Sequence, residues 1–306
     1  MMNVLITGKS GYIGNALADW LAQWPDLYCT TIVSLRGEGW KTQSFRGYDV
    51  VFHGAGLAHD HRAPTEEYDS ANRRLAIDAA EKAKSDGVRR FLLMSTMAVY
   101  GNDGVVGQKN EIGPNTAPDP QSAYGRSKYA AELGIMALHD ENFAVGIVRA
   151  PMVYGANCPG NYGRLRELAL RYGIVPLVEN ERSMIYIDHL CEFLRLCMHL
   201  DGDKTVNRTP QSGIYCPRDE ELFCTGQAMA WIAQANHRAI RRSKLLGLCL
   251  KPAGLVIPGV RKAFGNLTYD KGLSIIPIHE YSKLSLKEAI TATEAGWTGA
   301  HTARME

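Results

Sequence analysis

The chain has 306 residues, of which 45% are hydrophobic and 22% charged, so it can bury the core of one large domain or two modest ones. The composition predicts a soluble globular protein. A formal net charge of +2 without long runs of one sign argues against nucleic acid as a partner, although anionic small molecules stay candidates.

The first half of the chain alternates short apolar runs with helical patterns. NVLIT at 3–7 predicts a strand, TGKSGYIG a glycine-rich turn, and YIGNALADWLAQW a helix. Further strands are predicted at LYCTTIVSLRG, YDVVFHGAG, RRFLLMST and FAVGIVRAPMVYG, with helices over 65–86 and from about Tyr124. We therefore expect an α/β fold, a Rossmann-type doubly wound parallel sheet that binds its ligand at the carboxyl ends of the strands.

The pattern changes after about residue 156 to helices, short strands and proline-containing loops. We expect residues 1–156 to form a dinucleotide-binding Rossmann domain. Residues 157–306 are expected to form a smaller, mixed C-terminal region that mainly binds substrate, and segments of it can return to the first domain.

One stretch bears on membrane contact. KLLGLCLKPAGLVIPGV at 244–260 is the most apolar part of the chain, but Lys251 and two prolines interrupt it and it is short for a bilayer span. We interpret it as buried helix and loop and expect no integral membrane segment. The alternative is peripheral membrane contact through the flanking basic residues Arg241, Arg242, Arg261 and Lys262.

The N-terminus and the cysteines indicate the compartment. MMNVLITGKSGYIG has no basic leader, and the seven cysteines are an odd number without a C-x-x-C pair. We therefore expect a cytoplasmic protein with reduced core thiols. The residues His53, His59, Asp60 and His61 match no closed zinc spacing, so we interpret them as loop residues and expect no metal.

The turn TGKSGYIG has the spacing G-x-x-G-x-x-G between a predicted strand and a predicted helix. Such a turn lets a pyrophosphate approach the backbone at a helix N-terminus, which favours anions. We predict a dinucleotide-binding loop. Its expected cofactor contacts are Gly8, Ser10, Gly11, Tyr12, Ile13 and Gly14.

The end of the second strand bears on the choice of cofactor. An NAD site usually has Asp or Glu about 20 residues past the glycines. This chain has Ser34 and Arg36 there, and an Arg can pair with a 2′-phosphate, so NADP(H) is favoured. NAD(H) is the alternative, with Glu38 in the acidic role.

Two further features suggest proton chemistry. Ser95 and Thr96 end a buried strand, where a hydroxyl can hydrogen-bond a substrate oxygen, although such pairs more often satisfy turn backbone groups. Tyr124 and Lys128 in AYGRSKYAAEL stand four residues apart, on one face of the predicted helix. By spacing alone, this pair is also consistent with an ordinary helix surface.

A series of motifs extends over nearly the whole chain. In order, they are the glycine motif, DVVFHGAG, SANRRLAIDAA, STMAVYG, YGRSK, VRAPMVYG, RSMIYIDHL and EAGW. Together they resemble the extended short-chain dehydrogenase/reductase superfamily, in its nucleotide-sugar epimerase, dehydratase and reductase branch. The resemblance implies that Tyr124 is the general acid/base, that Lys128 lowers its pKa and binds the nicotinamide ribose, and that Thr96 is the active-site hydroxyl. Ser95 is the weaker candidate for that hydroxyl. Implied cofactor-side residues are Gly54, Ala55, Gly56 and Asn72.

The resemblance also implies a UDP-sugar substrate. It points to Asn161 and Arg164 in CPGNYGRLRELA as substrate contacts and to Arg182 as the residue that binds the pyrophosphate. The family often has two adjacent acids in the last motif, whereas here Asp188 is followed by His189.

Within the branch, the chain is most similar to reductases and UDP-glucose 4-epimerase-like proteins. We expect an NADP(H)-dependent reductase of the C4 ketone of a UDP-4-keto-6-deoxy-N-acetylhexosamine in surface-polysaccharide biosynthesis. The alternative is a UDP-sugar 4-epimerase with tightly bound NAD, and a third hypothesis is a non-catalytic dinucleotide-sensing module. Dehydration is disfavoured because Thr96 is followed by Met97 and not by an Asp-Glu pair. Helices at 65–86 and 122–139 resemble a dimer interface, so we expect a homodimer.

Overall fold

A computed structural model of the chain describes residues 1–58, 63–102, 104–199 and 213–298. The strands in chain order are β1 (Met2–Thr7), β2 (Tyr28–Val33), β3 (Val50–His53), β4 (Arg90–Thr96), β5 (Glu111–Ile112), β6 (Ala144–Ala150), β7 (Met152–Tyr154), β8 (Ile174–Pro176), β9 (Met184–Tyr186), β10 (Gly213–Tyr215), β11 (Arg241–Ser243) and β12 (Thr268–Tyr269). These described residues form two compact units. The described parts of Met1–Gly101, Ala117–Ala150 and Leu190–Pro217 form the first, and those of Asn102–Thr116, Pro151–His189 and Arg218–Glu306 form the second.

The helices lie between these strands and after them. In chain order they are α1 (Tyr12–Leu21), α2 (Thr65–Tyr68), α3 (Leu75–Ser85), α4 (Ala123–Met136), α5 (Asn161–Tyr172), α6 (Ile187–Met198), α7 (Thr225–Ala235), α8 (Lys244–Val256), α9 (Pro258–Phe264), α10 (Ile278–Tyr281) and α11 (Leu286–Ala295). Short 3₁₀ turns occur at Gly39–Thr42, Met97–Tyr100 and Lys271–Leu273. None of the helices in the described ranges has the length and apolar character that a membrane crossing requires.

The first unit is built on a six-stranded sheet in the order β10-β6-β4-β3-β1-β2, and all of its pairs are parallel. The chain runs from β1 to β2 on one side and returns to place β3 on the other side of β1. This reversal of strand order opens a crevice at the carboxyl ends of β1 and β3, where such sheets bind ligands. The predicted fold class, a doubly wound parallel sheet, is confirmed.

The sheet strands are apolar along their length because helices cover both faces. All four residues of β3 are buried, and α3 packs a row of small side chains into the core beside them. The four buried residues of that row are Ala76, Ala79, Ala80 and Ala83.

Two predicted elements differ from the structure. The predicted single helix at 65–86 is helical but contains a π turn at Asp69–Arg74 between α2 and α3. The predicted strand at 143–155 is divided at Pro151, which has no N–H to donate to a ladder. Its first part, β6, belongs to the sheet of the first unit, whereas β7 pairs with β9 in the second unit.

The second unit contains three two-stranded parallel sheets, β5 with β12, β7 with β9, and β8 with β11. Buried carboxylates organise it. Asp219 accepts hydrogen bonds from the Tyr154 hydroxyl at 2.9 Å and from the Tyr186 backbone, and Glu294 accepts from Tyr162 at 2.9 Å. The functional division that we expect at residue 156 stays a prediction.

The interpretation of residues 244–260 as buried was wrong. These residues form α8 and the start of α9, and Leu245, Leu248 and Leu255 are all exposed. The reason lies on the opposite face of α8, where Gly247 and Gly254 pack against other residues of the second unit. Since glycines occupy the inner positions, the leucines face outward.

Candidate active site

The glycine turn lies at the carboxyl end of β1 and is closely packed. Gly8 has φ +99°, a conformation that side chains rarely adopt, and a Cβ on it would lie 3.0 Å from backbone atoms of Ala55. The N–H of Gly11 donates to the Gly8 carbonyl at 2.8 Å, and α1 begins at the next residue. The N-cap residue of this helix, Gly11, has no side chain to cap it, so the N–H groups of the first turn can face an anion. The turn therefore fits a dinucleotide pyrophosphate.

The predicted ribose site adjoins this turn. The Gly8 N–H donates to the carbonyl of Val33, the last residue of β2, so the residues that follow β2 begin beside the glycine loop. There, the Ser34 hydroxyl accepts from the Arg36 N–H at 3.3 Å, and both residues are exposed. Glu38 pairs with Lys41 at 2.7 Å. The nearest polar groups after β2 are therefore a hydroxyl and a guanidinium.

The loop after β3 is fixed by a buried amide. The Asn72 side chain, from the π turn, accepts from the Leu57 N–H at 2.7 Å and donates to the Leu57 carbonyl at 2.9 Å. It also donates to the Ser127 hydroxyl of α4 at 3.0 Å. A Cβ on Gly56 would lie 2.6 Å from this amide oxygen, so the loop has no room for a side chain there. Asn72 thus joins the β3 loop, including Gly54 and Ala55, to the helix that carries Tyr124.

Helix α4 presents Tyr124 and Lys128 one turn apart. Its N-terminus is capped by the Ser122 hydroxyl, which accepts from the Gly125 N–H at 3.0 Å. The buried Lys128 ammonium donates to the Met94 carbonyl of β4 at 3.0 Å and faces the Gly56 loop, where a Cβ on that glycine would lie 3.3 Å from Nζ. The pair is therefore at the edge of the sheet where the glycine turn lies.

The protonation of these groups follows from their surroundings. Burial raises the pKa of Tyr124 to about 12, and a hydrogen bond with Thr96 opposes this shift. Burial lowers the pKa of Lys128 to about 8, opposed by the charge of Glu132. The hydrogen bond with Thr96 is the contact that lowers the tyrosine pKa here, and the pKa-lowering role that the resemblance implies for Lys128 stays a prediction. Tyr124 is thus a protonated phenol at neutral pH and can act as a proton donor.

The structure distinguishes the two hydroxyls at the end of β4. Thr96 is partly exposed, and its side chain forms a hydrogen bond with the side chain of Tyr124. Ser95 is buried and donates to the carboxylate of Glu132, which pairs with Arg149 at 2.6 Å. Ser95 is therefore part of a buried polar network, whereas the Thr96 hydroxyl contacts Tyr124 and also accepts from the Ala98 N–H at 3.1 Å, which caps the following turn.

Sequence reasoning missed the Glu132–Arg149 pair. Both side chains are buried, and Arg149 also donates to the Tyr100 hydroxyl at 2.9 Å. A signal was present, because Glu132 is four residues after Lys128 and lies on the same helix face. The pair locks α4 to β6 and so fixes the position of Tyr124.

His53 ends β3 close to this site. Its Nδ1 lies 3.1 Å from the Thr7 hydroxyl, its ring stacks on Phe91 at 5.7 Å, and burial lowers its pKa to about 3. It is a neutral core imidazole. The other members of the suspected cluster, at 59–61, lie outside the described residues. In the part of the chain that the structure describes, no three His, Cys, Asp or Glu side chains gather in a way that could hold a metal.

The predicted substrate residues lie in the second unit. Asn161 and Arg164 are exposed in the first turn of α5. Arg182 donates to the Gly265 carbonyl at 2.6 Å, which orients its guanidinium. His189, where the family often has an acid, lies 2.8 Å from Asp219 and accepts backbone N–H groups from 283–284, so it has a structural role.

The family model described as NAD dependent epimerase/dehydratase family matches residues 4–194, more than half of the chain. The chain belongs to this family. It is therefore an NAD(P)-dependent enzyme of the extended short-chain dehydrogenase/reductase type, as the sequence motifs predicted.

Two curated relatives illustrate the range of the family. The chain is 28% identical over 229 residues to the UDP-glucose 4-epimerase of Vibrio cholerae, covering 67% of this chain and 69% of that protein. It is 27% identical over 162 residues to the UDP-2-acetamido-2,6-beta-L-arabino-hexul-4-ose reductase of Pseudomonas aeruginosa, covering 53% of this chain and 38% of that protein. The relatives of this chain thus include an epimerase and a reductase.

Two solved structures share the fold. The UDP-glucuronic acid 4-epimerase of Bacillus cereus in complex with NAD superimposes with a TM-score of 0.74 at 15% identity, covering 96% of both chains. RMD from Pseudomonas aeruginosa complexed with NADPH gives a TM-score of 0.73 at 15% identity, covering 97% of this chain and 99% of that one. At these identities the likeness concerns the fold alone.

Proposed function

We propose that this enzyme reduces the C4 ketone of a UDP-4-keto-6-deoxy-N-acetylhexosamine with NADPH, in the biosynthesis of a surface polysaccharide. The observation that carries the proposal is the hydrogen-bonded Thr96–Tyr124 pair with the buried Lys128 one helical turn away, beside the Gly56 loop. A phenol, a hydroxyl and a fixed cation at the ligand-binding edge of the sheet are suited to moving a proton to or from a sugar oxygen.

The cofactor would lie across the glycine turn. Its pyrophosphate would contact the N–H groups at the start of α1, and its 2′-phosphate would pair with Arg36 and Ser34. When bound, the nicotinamide ring supplies the hydride for the C4 carbon. The exposed guanidinium of Arg36 and the pairing of Glu38 with Lys41 both support NADP(H) over NAD(H).

Tyr124 would donate its proton to the C4 oxygen as charge develops there. Its pKa of about 12 supports this direction, since the phenol is protonated at neutral pH. Thr96 would hold the same oxygen through its hydroxyl. The Lys128 ammonium would stabilise the tyrosinate that remains, because an adjacent positive charge favours the anionic form.

The second candidate is a UDP-sugar 4-epimerase with tightly bound NAD. It is favoured by the match to the Vibrio cholerae epimerase, which covers more of the chain than the match to the reductase. In that reaction Tyr124 would first accept the C4 hydroxyl proton. A non-catalytic sensor is less well supported, because a buried lysine charge destabilises the fold and a sensor gains nothing from it.

The substrate would be held by residues of the second unit. We propose that Asn161 and Arg164 contact the nucleotide and that the oriented guanidinium of Arg182 binds the diphosphate, which needs a fixed cation. We also propose a cytoplasmic homodimer that associates through the helices at 65–86 and 122–139.

The test is to offer the purified protein NADPH and a UDP-4-keto-6-deoxy-N-acetylhexosamine and to follow NADPH consumption. We expect turnover in the wild type and in Tyr129→Phe, a matched tyrosine on the same helix, and none in Tyr124→Phe. If NADPH is not consumed while UDP-glucose and UDP-galactose interconvert, the epimerase hypothesis is correct and the reductase hypothesis is wrong. Loss of activity in neither tyrosine variant would remove Tyr124 from the mechanism.

A separate measurement tests the cofactor. Arg36→Ala should raise the KM for NADPH about tenfold, the effect of losing one charge-assisted pair, and leave the KM for NADH unchanged. Arg46→Ala, another exposed arginine of the first unit, is the control. Equal effects of Arg36→Ala on both cofactors would contradict the role of Arg36.

A further inference from the structure

The outer face of α8 is apolar. Leu245, Leu248, Leu255 and Val256 are 72%, 71%, 79% and 80% exposed. Their spacing of i, i+3, i+10 and i+11 places them on one side of the helix. Exposed Cys249 lies between them on the same side, and no charged residue interrupts the stripe. We call these five residues the α8 stripe.

The orientation of α8 is set by its other face. A Cβ on Gly247 would lie 2.0 Å from the Leu177 carbonyl oxygen, and one on the buried Gly254 would lie 2.6 Å from the Val106 side chain. Only glycine fits at these two contacts. An ordinary surface helix turns its apolar side inward and its polar side to water. In α8 the outward side is apolar, because the side that packs against the protein is occupied by two glycines, so the stripe is a built feature of the helix.

The segment of sequence that carries the stripe has charges of one sign. Residues 222–269 contain seven basic side chains and no acidic one, although the chain as a whole carries only +2. Several are exposed at the ends of α8 or within it, including Arg241, Lys244 and Lys251. An apolar stripe bordered by basic side chains matches a surface that is both apolar and anionic.

We propose that α8 and α9 dock this enzyme on an anionic lipid bilayer. The α8 stripe lies in the interface between headgroups and acyl chains, and the basic side chains contact the lipid phosphates. A second copy of the chain fits less well, because self-association through this face would bring the two sets of basic residues together. The inference goes beyond the proposed reaction and does not depend on it.

The test is sedimentation of the full chain with vesicles. We expect the wild type to bind vesicles of 30% phosphatidylglycerol in phosphatidylcholine, and to bind pure phosphatidylcholine vesicles at least tenfold more weakly, with binding that declines as salt increases. Leu248→Glu/Leu255→Glu should weaken binding to the anionic vesicles by roughly tenfold or more, since two leucines no longer enter the interface. Lys244→Gln/Lys251→Gln should also weaken it, by roughly tenfold or more.

The control is Leu27→Glu, an exposed leucine in the first unit, which should bind as the wild type does. Thermal unfolding of each variant checks that it folds, and enzymatic turnover without vesicles should be unchanged in all of them. The proposal is overturned if the wild type does not sediment with anionic vesicles or if it binds both vesicle types equally. It is also overturned if Leu248→Glu/Leu255→Glu binds like the wild type. A wild-type dimer that this double variant converts to a monomer, without vesicle binding, would assign the face to a second copy instead.

Discussion

Lys128 is held inside the protein as a charge, and replacing it with methionine should abolish activity while increasing stability. The residue is 5% exposed and its ammonium donates to the Met94 carbonyl at 3.0 Å. Burial is the main cause of its low pKa, which falls from 10.5 to about 8. Methionine has a similar length and volume, so it can fill the same space without a cavity.

The size of the effect follows from the pKa. A fall in pKa from 10.5 to about 8 corresponds to roughly 3 kcal/mol by which the folded state disfavours the charged lysine. Loss of the hydrogen bond to Met94 removes about 1 kcal/mol of stabilisation. The variant Lys128→Met should therefore be about 2 kcal/mol more stable at pH 7.

The pH dependence has a definite sign. Because the folded pKa lies below the unfolded value, the folded wild type binds fewer protons between about pH 8 and 10.5, and its stability relative to the variant rises across that window. The advantage of Lys128→Met is thus fully present below pH 8 and is lost as the pH approaches 10.5.

The assay is urea unfolding followed by tryptophan fluorescence at pH 7 and at pH 10. Lys287→Met, which replaces an exposed lysine of α11, is the matched control and should change stability little at either pH. A variant Lys128→Met that is less stable than the wild type at pH 7, or a stability difference that is equal at both pH values, would refute the reasoning.

Three other substitutions test the site. Glu132→Gln leaves the buried Arg149 guanidinium without a charge partner, so it should destabilise the fold by about 3–5 kcal/mol, measured by urea unfolding. The double variant Glu132→Gln/Arg149→Met should recover part of this lost stability, because it also removes the buried charge. Gly8→Ala places a residue with a side chain at φ +99°, so it should lower the free energy of unfolding by about 1–3 kcal/mol. It should also weaken NADPH binding in a fluorescence titration, and unaltered binding would contradict the role of the glycine turn in holding the cofactor. Asn72→Ala leaves backbone groups of the β3 loop unpaired and should lower kcat with about 2 kcal/mol of destabilisation. If Asn72→Ala loses stability without any change in kcat, Asn72 contributes to the stability of the fold and not to catalysis.

Much of the fold and the family were predictable from local pattern. Continuous apolar strands separated by amphipathic helices are typical of a parallel sheet that helices cover on both faces. This pattern in the first half of the sequence predicted the sheet of the first unit. The glycine turn could be recognised because its backbone requirements are met within seven residues, at Gly8, Gly11 and Gly14. The roles of Thr96, Tyr124 and Lys128 in catalysis stay predictions, although the structure brings these residues together at one edge of the sheet.

Other properties depend on groups that are distant in sequence, and local pattern could not give them. Ser95 and Glu132 are 37 residues apart, yet their contact makes Ser95 part of a buried polar network. The sequence by itself determined a dinucleotide-binding α/β fold, its family and the residue types at the site. The tertiary structure decided the burial that raises the pKa of Tyr124 and lowers that of Lys128, and the outward orientation of the leucines of α8. Burial is a property of everything packed around a group, and periodicity along one segment contains no information about what packs against it.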